Sequence, residues 1–310
     1  MSSLTVFTVA LALVSLQKPP QMTVGAGTSR VLITNANTTT AEGLEKGQKH
    51  HHVVLTGSPV QVQSPAKGFT ATGNAIDMRW EEIDAKTTSI EQARVEGKAT
   101  MFFDDSMAQA SLVEEAKRLH KPEPAAKPES STMKAQSELF NYAGSAHKGT
   151  LTMPVPWTFR QVSKGTGTRE DDGKKVNFTY DQTFDMDGTK GVLNLIQGKT
   201  GAMDRVSTGH LNGPVHFKVV RHEQVVGKVE VTTSTYSGVA DEVDIDLTKD
   251  PGTIVTHGHV IVDIDSAELT VHWPDLDSFT LKVDDQMQVT GFSNEGHPAV
   301  MTAQTKGGGK

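Results

Sequence analysis

One pattern, between Tyr236 and Asp265, limits the possible folds of this chain more than any other feature of its sequence. Two runs within it place an apolar residue at every second position, and most of the intervening residues are aspartates. Side chains of a β-strand point alternately to its two faces, so each run predicts a strand with one apolar and one largely acidic face. Asp250-Pro251-Gly252 separates the runs and favours a turn. The pattern therefore predicts two successive strands of one sheet, with the apolar positions Val243, Ile245, Leu247, Val260, Val262 and Ile264.

The same pattern recurs twice more along the chain. Its first part is an apolar residue followed by aspartate and then Met or Ile, and it is found at Ile76-Asp77-Met78, Phe184-Asp185-Met186 and Val243-Asp244-Ile245. Its second part is a glycine with apolar or small residues two and four positions later, and it begins at Gly97, Gly213 and Gly258. A degenerate repeat of strand pairs is typical of proteins in which each unit buries its apolar face by stacking on its neighbours. We therefore predict an all-β fold of stacked antiparallel strands.

The composition excludes several classes of protein. The 310 residues include no cysteine, which rules out disulfide scaffolds, thiolate metal sites and cysteine nucleophiles. A formal net charge of −7 and an isoelectric point near 5.9 argue against a nucleic-acid-binding surface. A chain of this length is long enough to bury a substantial core, as one large β domain or two smaller ones.

Local composition divides the chain into four segments. Residues 1–17 contain the apolar run Leu4–Leu16, which is too short to span a membrane as a helix but fits a secretory signal peptide. Strand-like sequence rich in Thr, Val and Ile occupies residues 22–104 and again 136–303. Residues 105–135 lie between these two β portions and differ from both. The signal-like segment predicts an exported protein of the periplasm or cell envelope.

The segment 105–135 predicts one helix followed by an exposed linker. Asp105 or Ser106 is a suitable N-terminal cap, and Pro122 ends the helix. The residues that follow, 121–130, are charged and rich in proline, so they have little to bury and favour an extended chain. The apolar positions at helical spacing are Met107, Ala110, Leu112, Val113, Ala116 and Leu119.

Two stretches of the sequence resemble the OstA-type periplasmic lipopolysaccharide-transport (Lpt) family. The resemblance is carried by Leu55–Val62 with Gly73–Met78, and by Gly238–Ile245 with Thr256–Val260. It implies a V-shaped, open-sided β-jellyroll of stacked antiparallel strands. It also implies a function without catalysis, in which the interior of the V shields the acyl chains of an amphipathic, lipopolysaccharide-like lipid between membranes.

The repeated pattern supplies the candidate residues for such a groove, because each occupies an equivalent apolar position and is expected to point inward. An apolar groove can bind acyl chains without any specific polar contact, since each buried CH₂ contributes roughly 0.8 kcal/mol. The same residues can instead fill a closed core, because half-buried sheets alternate in the same way. The candidates are Ile76, Met78, Phe184, Met186, Val215, Phe217, Val243, Ile245, Val260 and Val262.

The expected partners follow from the edges of such a sheet as well as from the resemblance. Terminal strands expose unpaired N–H and C=O groups, which can add a strand of another protein. We therefore expect stacking on other Lpt-like β-jellyroll proteins, or end-to-end association of copies of this chain.

Other chemistry is less well supported by the sequence. The His50-His51-His52 tract and the pair His257 and His259 contain metal-ligand side chains, but no third ligand lies at a suitable spacing. The aspartates of the alternating runs lack the loop sequence of a calcium site, so a solvated face is expected and no cofactor is assigned. No nucleophile elbow, phosphate-binding loop or zinc-protease helix is present. Two alternatives to a lipid carrier stay open: a structural β-repeat protein of the envelope without a ligand, and a carbohydrate-active β-sandwich protein.

Overall fold

The computed structural model describes residues 21–24, 30–42, 49–84, 87–125, 129–145, 147–171, 173–196, 205–267, 269–284, 289–295 and 302–305. These residues form an all-β fold with a single α-helix, α1 (Asp105–Arg118), as predicted. The predicted signal segment at residues 1–17 lies outside the described residues. The strands before the helix are β1 (Gln21–Val24), β2 (Val31–Glu42), β3 (His50–Ser64), β4 (Phe69–Asp84) and β5 (Thr87–Asp104). The strands after it are β6 (Ser130–Gly144), β7 (Lys148–Met153), β8 (Trp157–Asp171), β9 (Lys174–Gly188), β10 (Lys190–Ile196), β11 (Arg205–Val225), β12 (Val231–Asp246), β13 (Gly252–Asp265), β14 (Leu269–Val283), β15 (Val289–Glu295) and β16 (Thr302–Thr305).

All sixteen strands belong to one antiparallel sheet that follows the chain as a meander. Three pairs of short strands each take the place of one long strand. Strands β7 and β8 lie side by side on β6, β9 and β10 lie side by side on β11, and β15 and β16 lie side by side on β14. We call each long strand, and each such pair, a rung. From β2 to β14, each rung pairs with the strand or rung before it and the rung after it, and β15 and β16 form the last rung.

The long strands bend near their middle, and the bends lie in line across the sheet. The pairing register shifts at Thr56/Val60, Thr72/Ala75, Glu96/Ala99, Asn212/Val215, Val239/Glu242 and His257/Val260. Such bulges bend a strand and increase its twist. All three glycines that open the second part of the sequence repeat lie at these shifts, and Gly97 and Gly258 have positive φ angles of 70° and 81°.

The line of bends divides the sheet into two half-sheets. Half-sheet A contains β1, β8, β9, β16 and residues 31–34, 60–64, 69–72, 99–104, 130–137, 215–225, 231–240, 260–265 and 269–273. Half-sheet B contains β7, β10, β15 and residues 36–42, 50–57, 75–84, 87–96, 139–144, 205–212, 242–246, 252–257 and 276–283.

The core lies between the inner faces of the two half-sheets. Apolar residues of both belong to one hydrophobic cluster, among them Val215 and Val262 of half-sheet A and Ile76 and Val243 of half-sheet B. Burial alternates along the strands, as it does from Gly252 to Asp265 in β13. Within β14, the rings of Trp273 and Phe279 approach to 5.9 Å between centroids across the bend. The sheet is thus folded back on itself, and each strand buries one of its faces.

Helix α1 connects β5 to β6 and packs beside the 3₁₀ turn Pro65–Lys67 rather than into the core. None of its residues is buried, and Leu112 remains 37% exposed. Its N-terminal cap is Asp104, whose carboxylate accepts hydrogen bonds from the backbone N–H groups of Ser106 and Met107. The predicted cap at Asp105 or Ser106 is therefore wrong by one or two positions.

Two predicted boundaries differ from the structure. The segment 105–135 was expected to contain no strand, whereas β6 begins at Ser130. Ser130 and Ser131 pair with β8, and from Thr132 the strand pairs with both β5 and β8. The sheet therefore continues without interruption from the first β portion into the second. Within the strand-like sequence over 136–303, residues 224–233 predict one continuous strand. That prediction is wrong, because the chain turns between Val225 and Val231 to join β11 and β12.

Candidate functional site

A cleft of about 550 Å³ lies between the two half-sheets in the middle of the molecule. Its wall is mainly apolar, and it combines inward-facing side chains from β8 and β9 of half-sheet A with others from β7, β10, β11 and β12 of half-sheet B. A volume of this size is typical of pockets that bind small organic molecules. The apolar residues that line it are Met133, Met153, Trp157, Phe159, Phe184, Met186, Leu193, Val206, Leu211, Ile245 and Leu247.

The cleft lies where two neighbouring rungs are split into separate strands. The first split falls at Pro154–Pro156, between β7 and β8, and proline has no N–H to offer to a strand ladder. The second falls at Thr189, between β9 and β10, where the Thr189 backbone N–H donates to the carbonyl oxygen of Asn212 at 3.0 Å. Met153 and Trp157, on either side of the first split, both line the cleft. The chain interruptions thus place residues of both half-sheets around the same space.

Charged side chains lie around the apolar wall. Asp105 and Glu129 contribute from the chain next to half-sheet A, and Lys249, Asp250 and Asp284 from the chain next to half-sheet B; Lys164 of β8 also borders the cleft. The Lys164 side chain itself lies on the outer face of β8, where its ammonium pairs with Asp181 of β9 at 2.7 Å. The site is therefore amphipathic, with an apolar interior and charged groups of both signs at its periphery.

The ten residues predicted to line a groove are all buried and all belong to the one hydrophobic cluster. Phe184, Met186 and Ile245 line the cleft. The other seven lie in the core without being among the residues that line this cleft: Ile76, Met78, Val215, Phe217, Val243, Val260 and Val262. The structure thus brings three of the candidates together at one site and places the rest in the packing around it.

Several lining residues were missed by the sequence reasoning, among them Trp157, Leu193 and Leu211. Leu193 lies in an alternating run, so its inward orientation was predictable, but it falls outside the repeated pattern. Trp157 is 3% exposed, and its indole N–H has no hydrogen-bond partner among the described residues. The usable signal for Trp157 was the pair of prolines before it, which marks a chain interruption beside a large aromatic residue.

Several histidines pair with aspartates of neighbouring strands on the outer face of the sheet. His257 lies 3.2 Å from Asp244, and His259 lies 2.8 Å from Asp241. The hydrogen bond from His259 lowers the pKa of Asp241, and the same bond raises the pKa of His259. Within the tract His50–His52, His51 stacks on Trp80 with 5.1 Å between ring centroids. In the part of the chain that the structure describes, no three His, Asp or Glu side chains are grouped so that they could hold a metal ion.

Among the residues with described structure, no helix has both the length and the apolar character that crossing a bilayer requires.

Comparison with known proteins gives no relative for this chain. No protein-family model matches its sequence, no curated protein matches it, and no solved structure matches its fold.

Proposed function

We propose that this protein is a non-catalytic carrier that binds the acyl chains of an amphipathic lipid in the cleft between its half-sheets. The observation that carries this proposal is the cleft itself: about 550 Å³, lined by apolar side chains from both half-sheets and bordered by charged residues. A lipid with an apolar chain and a polar head matches that distribution. The resemblance of two sequence stretches to lipopolysaccharide-transport bridge proteins supports the same class of ligand.

The energetics of such binding require no specific polar contact. Each CH₂ removed from water contributes roughly 0.8 kcal/mol, so about ten buried methylenes gain roughly 8 kcal/mol before the cost of immobilising the chain. The apolar side chains that surround the cleft, such as Phe184 and Leu193, are held by the sheet and need little ordering when a ligand binds. The site therefore favours long apolar chains and discriminates little between chains of similar length.

We also propose that the protein is exported to the periplasm or cell envelope and stacks on other β-jellyroll proteins or on copies of itself. Residues 36–42 of β2 support the stacking, because β3 is their only strand neighbour among the described residues. Their other edge offers backbone N–H and C=O groups that a further strand can pair with.

The test is to extract the purified protein with organic solvent and identify bound lipid by mass spectrometry. A fluorescent fatty acid then measures binding to the parent protein and to Val206→Trp, which places a large ring in the cleft. We expect Val206→Trp to weaken binding about tenfold or more by occupying the space of several methylenes.

Val192→Trp is the matched control, because Val192 lies on the outer face of the adjacent strand β10 and is 38% exposed. It should bind like the parent protein. A parent protein that carries no lipid and binds no fatty acid would overturn the proposal and favour a structural β-repeat protein without a ligand.

A further inference from the structure

A second cavity, of about 400 Å³, lies on the inner face of half-sheet A beside the cleft. The inward-facing residues of β9 connect the two spaces: Tyr180 lines the cleft, and Gln182, the next inward residue, lines the second cavity. Unlike the cleft, this cavity has a polar wall. We call it the polar chamber, and the residues that define it are Arg169, Gln182, Arg221, Glu223, Ser234 and Tyr236.

The charges in the polar chamber are unequal in number. Arg169 donates to one carboxylate oxygen of Glu223 at 2.6 Å, and Arg221 donates to the other at 2.5 Å. Two guanidinium groups thus share one carboxylate, and these three are the charged residues among the described residues that line the chamber. Among the described residues that line the chamber, positive charges therefore exceed negative charges by one. That excess attracts an anion.

Arg221 is held in position within the chamber. Its side chain is 11% exposed, its guanidinium carbon lies 4.5 Å from the centre of the Tyr180 ring, and it donates to Gln182 Oε1 at 3.2 Å. A cation over an aromatic face is stabilised by the ring electrons, and a guanidinium group in fixed orientation is suited to carboxylate and phosphate oxygens. The site is thus ordered before any ligand arrives, which lowers the entropic cost of binding.

Tyr236 adds a donor to the same chamber. Burial raises the pKa of its hydroxyl above the ordinary value of 10.0, so the group keeps its proton at neutral pH. A protonated hydroxyl can donate a hydrogen bond to an anionic oxygen. The chamber therefore combines two guanidinium groups and a phenol on one polar wall.

We propose that the polar chamber binds the anionic group, a carboxylate or a phosphate, of the amphipathic ligand whose apolar chain occupies the cleft. This inference rests on the function proposed above and adds to it the charge of the ligand's head group. The adjacency of Tyr180 and Gln182 on β9 lets one molecule occupy both spaces, with its chain against Phe184 and its head against Arg221.

The experiment compares ligands that share one chain and differ in the head group: dodecanoate, dodecyl phosphate, dodecanol and dodecyltrimethylammonium. Binding is measured by calorimetry on the full chain at low ionic strength, below the critical micelle concentration of each ligand. We expect the parent protein to bind dodecanoate or dodecyl phosphate about tenfold more tightly than dodecanol, and the ammonium compound least tightly. The ratio of dodecanoate to dodecyl phosphate then shows which anion the chamber prefers.

Arg221→Gln and Arg169→Gln test the residues directly. Each should reduce the preference for the anionic ligands over dodecanol about tenfold or more while leaving dodecanol binding unchanged. Arg160→Gln is the matched control, since Arg160 carries the same charge on the outer face of β8, 61% exposed and 3.7 Å from Asp185. Arg169→Gln alters a more exposed side chain, so it remains informative if Arg221→Gln fails to fold.

Two failures are distinguishable. If dodecanol and the anionic ligands bind the parent equally, or if Arg160→Gln changes the preference as much as Arg221→Gln does, the polar chamber is not an anion site and the carrier proposal stands. If none of the four ligands binds the parent, the carrier proposal fails and this inference fails with it.

Discussion

Adjacent side chains of a single strand meet entirely different surroundings in this protein. Val262 is fully buried in the core, whereas Ile261, the preceding residue of β13, is 37% exposed on the outer face. The same contrast holds for polar residues: Asp244 lies outward and pairs with His210 and His257, between the buried residues Val243 and Ile245. The effect of a substitution thus depends first on which face it occupies.

Val262→Asp should unfold the protein or destabilise it severely. An unpaired carboxylate at this fully buried position costs several kcal/mol, and a typical domain has a free energy of unfolding of about 5–15 kcal/mol. Thermal unfolding followed by circular dichroism measures the effect. Ile261→Asp introduces the same charge one residue away on the outer face and should change the midpoint by a few degrees at most. Equal midpoints for the two variants would contradict the assignment of β13 faces.

His210 should give the folded protein a pH dependence. The hydrogen bond to Asp244 raises the pKa of His210 above its ordinary value of 6.5. The stabilisation is therefore fully present below pH 6.5 and is lost as the pH rises through the raised pKa of the folded state. Measured by NMR titration, the pKa of His210 should fall toward 6.5 in Asp244→Asn. A titration unchanged by Asp244→Asn would show that the pair does not form.

The sequence predicts which residues are buried better than it predicts which of them line the cleft. Alternation placed all ten candidate residues inward, and all ten are buried. It could not separate Met78 from Met186, which occupy the same position in the repeat although Met186 lines the cleft and Met78 does not. Met186 lies in half-sheet A and Met78 in half-sheet B, and no local pattern shows in which half-sheet a strand pairs.

Among the elements, the bent strands determine the architecture. Gly97 and Gly258 adopt positive φ at the bends, a conformation that residues with a Cβ rarely adopt. At Gly258 an added Cβ would also meet the Asp241 side chain, which pairs with His259. The repeat in the sequence therefore marks the positions where each strand changes half-sheet. That role was not predicted from the sequence, in which these glycines mark only the beginning of the second part of the repeat.

Gly258→Ala should lower the free energy of unfolding by about 1–3 kcal/mol, because it imposes a strained backbone and displaces the Asp241 carboxylate. Denaturant titration measures the change. Gly291→Ala is the control, since among the described residues a Cβ there meets only Lys282, at 3.9 Å, and Gly291 has no positive φ. Losses of equal size at the two glycines would show that the bend does not require glycine.

Asp104→Ala should destabilise helix α1 by about 1 kcal/mol, since the side chain caps two backbone N–H groups. Because the helix buries none of its residues, the loss is expected locally, as faster amide hydrogen exchange over 105–118 with little change in the sheet. Glu114→Ala changes an exposed carboxylate in the same helix and should have no comparable effect. Faster exchange throughout the sheet would mean that the helix supports the fold.

The helix itself was predictable, whereas its first residue was not. Periodicity and Pro122 located it correctly, but aspartate and serine are almost equally good caps. The choice among Asp104, Asp105 and Ser106 depends on where β5 ends, and that end is set by pairing of Asp104 with Thr132 of β6. A contact between residues far apart in the sequence thus decided a local boundary.

At the scale of the whole molecule, one sheet extends through both β portions of the sequence. The outer edge of β2 lies at one end of this sheet, over residues 36–42, and β15 lies at the other. The sequence repeats predict stacked strands, but they do not show whether the helix separates two sheets. The sheet is continuous because β5 pairs with β6, and these strands lie on either side of the inserted helix.

The two ends predict association of copies of the protein. Sedimentation velocity over a range of concentrations should show an increasing average mass as unpaired strand edges meet. Adjacent residues of a strand direct their backbone N–H groups to opposite edges, so Thr40→Pro and Ala41→Pro are compared. The variant that loses the N–H on the free edge of β2 should weaken the association, because proline cannot donate to a strand ladder. A mass that is constant with concentration would argue against end-to-end stacking.

The meander also has a consequence for how the chain acquires its structure. Each rung pairs with rungs that are its neighbours in sequence, so no strand must wait for a partner from the far end of the polypeptide. Contacts of short sequence separation favour rapid folding. An amino-terminal rung can therefore serve as the template for the next one while later residues are still being synthesised, and the sheet can grow in the order in which the ribosome delivers it.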